Sequence, residues 1–324
     1  MTLQTKKLLS IVFKLAILVL AAYFIYRRIV KNHDNLQKFE KLISTLPRHK
    51  VIFAITVTVL LMLLNWLLES LKWRYLIKKL FHVSVFQAIE GVLCGLTWAV
   101  FTPNRIGEYG GRIMFLPIRK RVHGLFSMAV GSFGQNVITN VLGAGALIWF
   151  LFNYVHPRQW LMLFVAVMAL VFIVLMLTLY FNIKWMVYML NQIKFLKKFH
   201  RFFYIMGNYN FSQLLNVIWF CIARFFVFTY QYCLIIHLMV PQVALFQVAL
   251  LIFVFFFIQS AIPSLDFVDI GVRGLTASAI FAYVTDNTVA VVVAVSLIYI
   301  INLVVPAVLG SLFIFKLKFF DRAY

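Results

Sequence analysis

VIFAITVTVLLMLLNWLLESL, residues 51–71, and WLMLFVAVMALVFIVLMLTLYF, residues 160–181, decide the fold. Each is an almost unbroken apolar run of the length, about 20 residues, that a helix needs to cross a bilayer. In hydrocarbon every backbone N–H and C=O must find an internal partner, which leaves only helices or a closed barrel. Barrel strands alternate in polarity over about 10 residues; these runs do not alternate, so they read as helices. Working outward, similar runs lie at 8–29, 123–152, 212–238 and 289–314. Together they predict an all-α polytopic membrane protein with about six full spans. Composition agrees: 64% of the 324 residues are hydrophobic and 12% charged, against roughly a quarter charged in a soluble domain. A single transmembrane domain over 1–324 is expected, with no soluble domain. The first run follows Lys6 and Lys7, lacks an A-x-A site and leads into Arg27 and Arg28. It reads as a retained helix rather than a cleaved signal.

Two stretches, 84–118 and 242–285, are not simple spans. The first is apolar to Phe101 and then breaks at Thr102-Pro103-Asn104-Arg105-Ile106-Gly107-Glu108-Tyr109-Gly110-Gly111-Arg112. The second is apolar to Ile262 and breaks at Pro263-Ser264-Leu265-Asp266-Phe267-Val268-Asp269-Ile270-Gly271-Val272-Arg273-Gly274. Phe86-Gln87 precedes Pro103 by the same interval as Phe246-Gln247 precedes Pro263, and at that offset Gly111 falls on Gly271. The shared order is what a duplicated transporter half leaves behind, with repeats at about 51–152 and 212–314. Proline removes a helix hydrogen bond and glycine frees the chain from helical geometry. Irregular backbone at membrane depth survives only inside protein or beside a wet cavity. Each stretch is therefore read as a re-entrant helical hairpin. Three full spans between the breaks would place the hairpins on opposite faces, as inverted repeats.

The net charge of +21, from 30 Lys+Arg against 9 Asp+Glu, falls between the apolar runs. There it serves orientation and attraction to anionic lipid rather than nucleic acid. With the N-terminus inside, basic residues on the inner face outnumber those outside about two to one, as the positive-inside rule requires. Residues 27–50 oppose this with a basic cluster outside; Leu36, Phe39, Ile43 and Leu46 are spaced for an interfacial helix there.

Motifs of enzyme chemistry are missing. There is no Gly-Lys-Ser/Thr phosphate loop, no G-x-S-x-G elbow and no H-E-x-x-H among the seven histidines. Cys94, Cys221 and Cys233 lie singly in apolar runs as small buried hydrophobes. No cofactor and no metal is expected, although Asp266 and Asp269, three apart, could hold a cation beside a phosphate or serve as a cap and an ion-pair partner. Arg105, Glu108 and Arg112 share one helical face. Two guanidinium groups with one acid make a positive site for a phosphate, with Pro103, Gly107, Gly110 and Gly111 at the break. The competing reading is an interfacial anchor of snorkelling arginines. In the second break Asp266, Asp269 and Arg273 accompany Pro263, Gly271 and Gly274. Arg224, inside a span, is expected to face the bundle and find a partner such as Glu69 or Glu90, the alternative being a long stem that snorkels to the inner interface. Gly91 and Gly95 form a GxxxG suited to close helix contact.

Asn65-Trp66 to Arg74, Gly95-Leu96-Thr97 and Pro103 through Arg112 together resemble the lysylphosphatidylglycerol synthase transmembrane region, or flippase-like domain family. That family's first motif is matched at Pro103, Arg105, Gly107, Glu108 and Arg112. Its second is matched at Pro263, Gly271, Val272 and Arg273, with Gly274 where the family carries Glu. The resemblance implies a bacterial cytoplasmic (inner) membrane protein. It further implies a flippase or translocase for a lipid with an anionic or zwitterionic head group, working through an inner cavity at Arg105, Glu108 and Arg112 and an outer one at Asp266 and Arg273. Transport without a nucleotide motif would run downhill or on an ion gradient. The alternatives are a membrane-embedded transferase or an accessory subunit in lipid or glycolipid modification. A homo-oligomer or a partner lipid-modifying enzyme is compatible with each.

Overall fold

The computed structural model describes residues 46–100, 102, 105–193, 206–262 and 269–316, with scattered positions between 12 and 44. Ten helices are described: α1 Arg48–Ile77, α2 Val85–Ala99, α3 Ile106–Ile113, α4 Ile118–Phe150, α5 Gln159–Phe181, α6 Ile183–Gln192, α7 Phe211–Met239, α8 Leu245–Ala261, α9 Asp269–Phe281 and α10 Thr288–Ser311. A π-helical turn, Leu151–Val155, extends α4. Five of these helices are long and apolar enough to cross a membrane: α1, α4 with its extension, α5, α7 and α10. They correspond to five of the six expected spans. The sixth, 8–29, lies largely outside the described residues; Val12, Leu15, Val19, Leu20, Tyr23 and Tyr26 are helical and exposed. The amphipathic segment expected within 27–50 also falls almost wholly outside them.

Helix α1 shows why lipid is its solvent. Its buried face carries Thr58, Asn65, Glu69, Ser70 and Lys72, while Ile52, Phe53, Leu60, Leu63 and Leu64 are exposed. A soluble helix does the reverse. Burying polar side chains and exposing leucine is stable only where the surroundings are hydrocarbon. Helix α5 goes further, with Tyr180 its single buried residue.

Two short apolar helices, α2 and α8, begin the expected hairpins. Ser84 and Gln87 form a reciprocal capping box at the start of α2, with bonds of 3.2 and 3.1 Å. Ala244 starts α8 without a side-chain cap, so Gln87 and Gln247 do different work despite matching in sequence. Helices α2 and α3 pack along each other, as do α8 and α9.

The order long helix, hairpin, long helix occurs twice, as α1–α4 and α7–α10. Contacts between the two sets are reciprocal: α1 packs on α7, α2 on α10 and α8 on α4. Helices α1 and α7 run antiparallel, because Gln231 donates to the Thr58 carbonyl at 3.2 Å, Arg224 reaches Asn65 and Asn216 reaches Tyr75. Helices α2 and α10 do the same, through Cys94 with Gly310 and Thr97 with Ala307.

Candidate functional site

Glu69 sits on the buried face of α1 and is the hub of the site. Its carboxylate meets Lys72 Nζ at 2.8 Å, Arg112 of α3 at 2.6 Å and Arg224 of α7. Arg112 also binds Glu108, one turn earlier on α3, and Glu108 meets Arg105 at 3.4 Å. The result is a chain of alternating charge, Arg105–Glu108–Arg112–Glu69–Arg224, with Lys72 as a branch. Four cations against two carboxylates leave two formal positive charges. A buried charge of this kind persists only when paired and hydrogen-bonded. Arg224 is further held by Asn65 Oδ1 at 3.0 Å and Gln135 Oε1 at 3.5 Å, and lies over the Trp66 ring at 5.6 Å.

Both ends of the chain open on one cavity of about 300 Å³. Arg105 enters from the start of α3, Arg224 from α7 and Arg273 from α9; among the described residues no acidic one lines it. Phe225, Phe228, Tyr232 and Phe256 give it an aromatic wall, and Asn136, Gln259 and Asn302 give it polar groups. Arg273 lies over the Tyr299 ring at 5.4 Å. The floor is fixed by an amide relay: Gln231 donates to Thr58 and accepts from Asn302 at 2.9 Å, while Asn302 Nδ2 also donates to the Ile298 carbonyl at 3.0 Å. Two backbone carbonyls thus set the direction of both amides.

Several expectations are corrected by this geometry. Arg105 and Arg273 line one cavity instead of an inner and an outer one. Arg112 and Glu108 do not line it. The Arg112 guanidinium is committed to two carboxylates and 3% exposed, so its work is to tie α3 to α1. Arg224 finds Glu69, one of its two anticipated partners. Lys72 is buried near the end of α1 and Arg273 is partly buried on the cavity. Pro103, Pro263 and Asp266 lie outside the described residues, as does the side chain of Asp269.

The glycines also work differently from expectation. No described glycine has positive φ; the left-handed residue at the first break is Arg105, with φ 56° and ψ 28°, a conformation that costs a non-glycine residue roughly 1–3 kcal/mol. Thr102 supports it, its hydroxyl donating to the Trp98 carbonyl at 2.9 Å and accepting from Gly107 N–H at 2.8 Å. Gly107, Gly110 and Gly111 are helical and let α3 lie against α2: a Cβ on Gly111 would stand 2.5 Å from Gly95 Cα, and one on Gly107 2.4 Å from the Trp98 carbonyl oxygen. Gly91 accommodates the Trp73 ring of α1, so the GxxxG does serve close contact. In α9, Gly274 faces Val292, and a Cβ on Gly271 would meet nothing within 4 Å among the described residues; the second break itself, 263–268, lies outside them.

Glu69 as hub, Lys72 as its branch and the Gln231–Asn302 relay were not singled out from sequence as site residues. The available signal was polarity inside apolar runs: Asn65, Glu69, Gln231 and Asn302 each interrupt one. No family model, curated protein or solved structure matches the chain.

Proposed function

We propose that the protein is a lipid translocase whose cavity takes an anionic phosphate-bearing head group. The observation that carries this reading is the convergence of Arg105, Arg224 and Arg273 on one cavity, with no carboxylate among its described lining residues. Guanidinium groups match phosphate oxygens with paired, charge-assisted hydrogen bonds. At about 300 Å³ the space lies at the lower end of ligand sites. It suits a head group, with the acyl chains left in lipid.

The inverted-repeat architecture is part of the proposal. It is supported by the recurring order of elements, the reciprocal packing and the antiparallel α1 and α7. Each hairpin follows the C-terminal end of its long helix, so antiparallel long helices send the hairpins in from opposite sides. Their arginines then meet at mid-depth, where substrate sites of repeat-built transporters lie. The resemblance to the flippase-like family agrees with this assignment, and a bacterial cytoplasmic membrane is the location it implies.

Purified protein in liposomes with trace fluorescent phosphatidylglycerol, phosphatidylethanolamine or a lipid-linked sugar tests the reading. Transfer between leaflets is followed by bleaching of the outer one. The wild type should move at least one phosphate-bearing lipid. Arg273→Gln should weaken apparent affinity about 10- to 150-fold, the equivalent of losing one charge-assisted bond of roughly 1.5–3 kcal/mol. Arg119→Gln, at an exposed position, should match wild type. No transfer of any lipid, or equal transfer by both variants, would refute the assignment.

A further inference from the structure

A second basic pocket lies away from the cavity, at the C-terminal end of α1. It has a volume of about 220 Å³ and is lined by Leu71, Arg74, Tyr75, Lys78, His82, Val83 and Phe220. It shares no residue with the central cavity. We infer that this pocket binds the phosphate of an anionic phospholipid from the surrounding bilayer, as a fixed lipid and independently of what the cavity carries.

The described polar lining consists of groups able to donate, and no carboxylate is among them. Arg74 is the oriented one. Its Nε donates to the Val83 carbonyl at 2.9 Å, which fixes the guanidinium plane and leaves the terminal nitrogens as a fork. Lys78 and His82 are exposed side chains on the same rim. The Tyr75 hydroxyl accepts from Asn216 Nδ2 at 3.0 Å, so its own proton is directed elsewhere. A neighbouring lysine, Lys79, is already engaged with the Asn208 carbonyl at 3.1 Å and is not part of the pocket.

One effect opposes an anion here. The C-terminal end of a helix carries roughly half a negative elementary charge. Two permanent cations, with a histidine beside them, outweigh it. Basic pockets between transmembrane helices at the membrane surface are where anionic head groups bind.

The apolar side of the pocket decides for a lipid over a free anion. Leu71 and Phe220 form its wall, and Phe220 packs near Tyr75 with ring centroids 6.3 Å apart. Helical spacing carries the Leu71 side of α1 on to exposed Leu67, Leu64 and Leu63. A phosphate held by Arg74 would leave its acyl chains along this hydrocarbon face. Inorganic phosphate would gain nothing from it.

The test uses the full chain in neutral detergent, with native mass spectrometry to count bound lipid. Short-chain phosphatidic acid, phosphatidylcholine and inorganic phosphate are the probes. Wild type should retain phosphatidic acid at least tenfold more strongly than phosphatidylcholine. Arg74→Gln should remove most of that preference, while Arg119→Gln keeps it. Melting temperature in detergent, measured in parallel, shows that Arg74→Gln is folded; should it not be, Lys78→Gln with His82→Gln replaces it and should reduce the preference at least threefold. The inference is overturned if Arg74→Gln binds like wild type, or if Arg119→Gln loses as much, since the attraction would then be diffuse. Equal protection by inorganic phosphate would overturn the lipid assignment. Loss of the preference in Arg273→Gln alone would place the bound lipid in the central cavity.

Discussion

Glu69→Gln removes the charge that holds Lys72, Arg112 and Arg224 together. The change is nearly isosteric, so packing is kept and electrostatics alone is tested. Lys72 and Arg112 are each 3% exposed and cannot recover their hydration by a small movement. Arg112 keeps Glu108, and Arg224 keeps Asn65 and Gln135, but Lys72 has no second carboxylate within ion-pair distance among the described residues. Removing one partner of a buried ion pair costs roughly 3–5 kcal/mol. The retained partners of the two arginines argue for the lower part of that range. For a chain longer than 250 residues, 1 kcal/mol moves the melting temperature by about 2 °C, so a fall of roughly 6 °C is expected. Tryptophan fluorescence during heating in detergent is a suitable assay, because Trp66 lies over Arg224 and Trp73 is buried beside the cluster. Glu108→Gln is the comparison: its side chain is 20% exposed, and Arg112 would still hold Glu69, so it should lose less than half as much. A Glu69→Gln variant melting within about 1 °C of wild type would refute the hub, as would a larger loss in Glu108→Gln.

Two other perturbations check the packing and the topology. Gly111→Ala places a methyl against the Gly95 backbone and should cost about 1–3 kcal/mol, whereas a Cβ on Gly145, exposed in α4, meets nothing within 4 Å among the described residues, so Gly145→Ala should leave melting unchanged or slightly raised; equal losses in the two would contradict the packing of α2 on α3. In a background without native cysteines, a cysteine replacing exposed His82 should label from the side opposite to one replacing exposed Tyr283. Labelling of both from one side would end the inverted-repeat proposal.

The spans were legible because a bilayer imposes a length and a polarity that a single run of sequence displays on its own. The two short helices α2 and α8 were legible for a related reason: their apolar runs end in polar, Pro-containing and Gly-containing stretches before reaching the length of a full span. The hub was not. Glu69 stands in an apolar run where a lone acid looks the same whether it faces head groups or the core, and its partners lie 43 and 155 positions away in Arg112 and Arg224. The glycines of the first break were misread because their role depends on interhelical distance. Gly111 needs volume, not a left-handed backbone, and the local sequence reports only the second possibility. Arg112 had the right neighbours for a phosphate ligand; Glu69, remote in sequence, claims it first.

Helix α5 contributes almost nothing to the interior, since Tyr180 is the one residue it buries. Yet it provides the return stroke between α4 and α7. Tyr180, near its end, reaches back to Gly134 of α4 and to the Leu214 carbonyl near the start of α7. Its role is arithmetic: one more crossing reverses the direction in which everything after it is threaded. A segment selected for parity is indifferent to most of its own spelling. Leu, Val, Phe and Met should be interchangeable along its outer surface, whereas excising the segment whole would thread the second half of the molecule in the same direction as the first and undo the antiparallel pairing of α1 with α7.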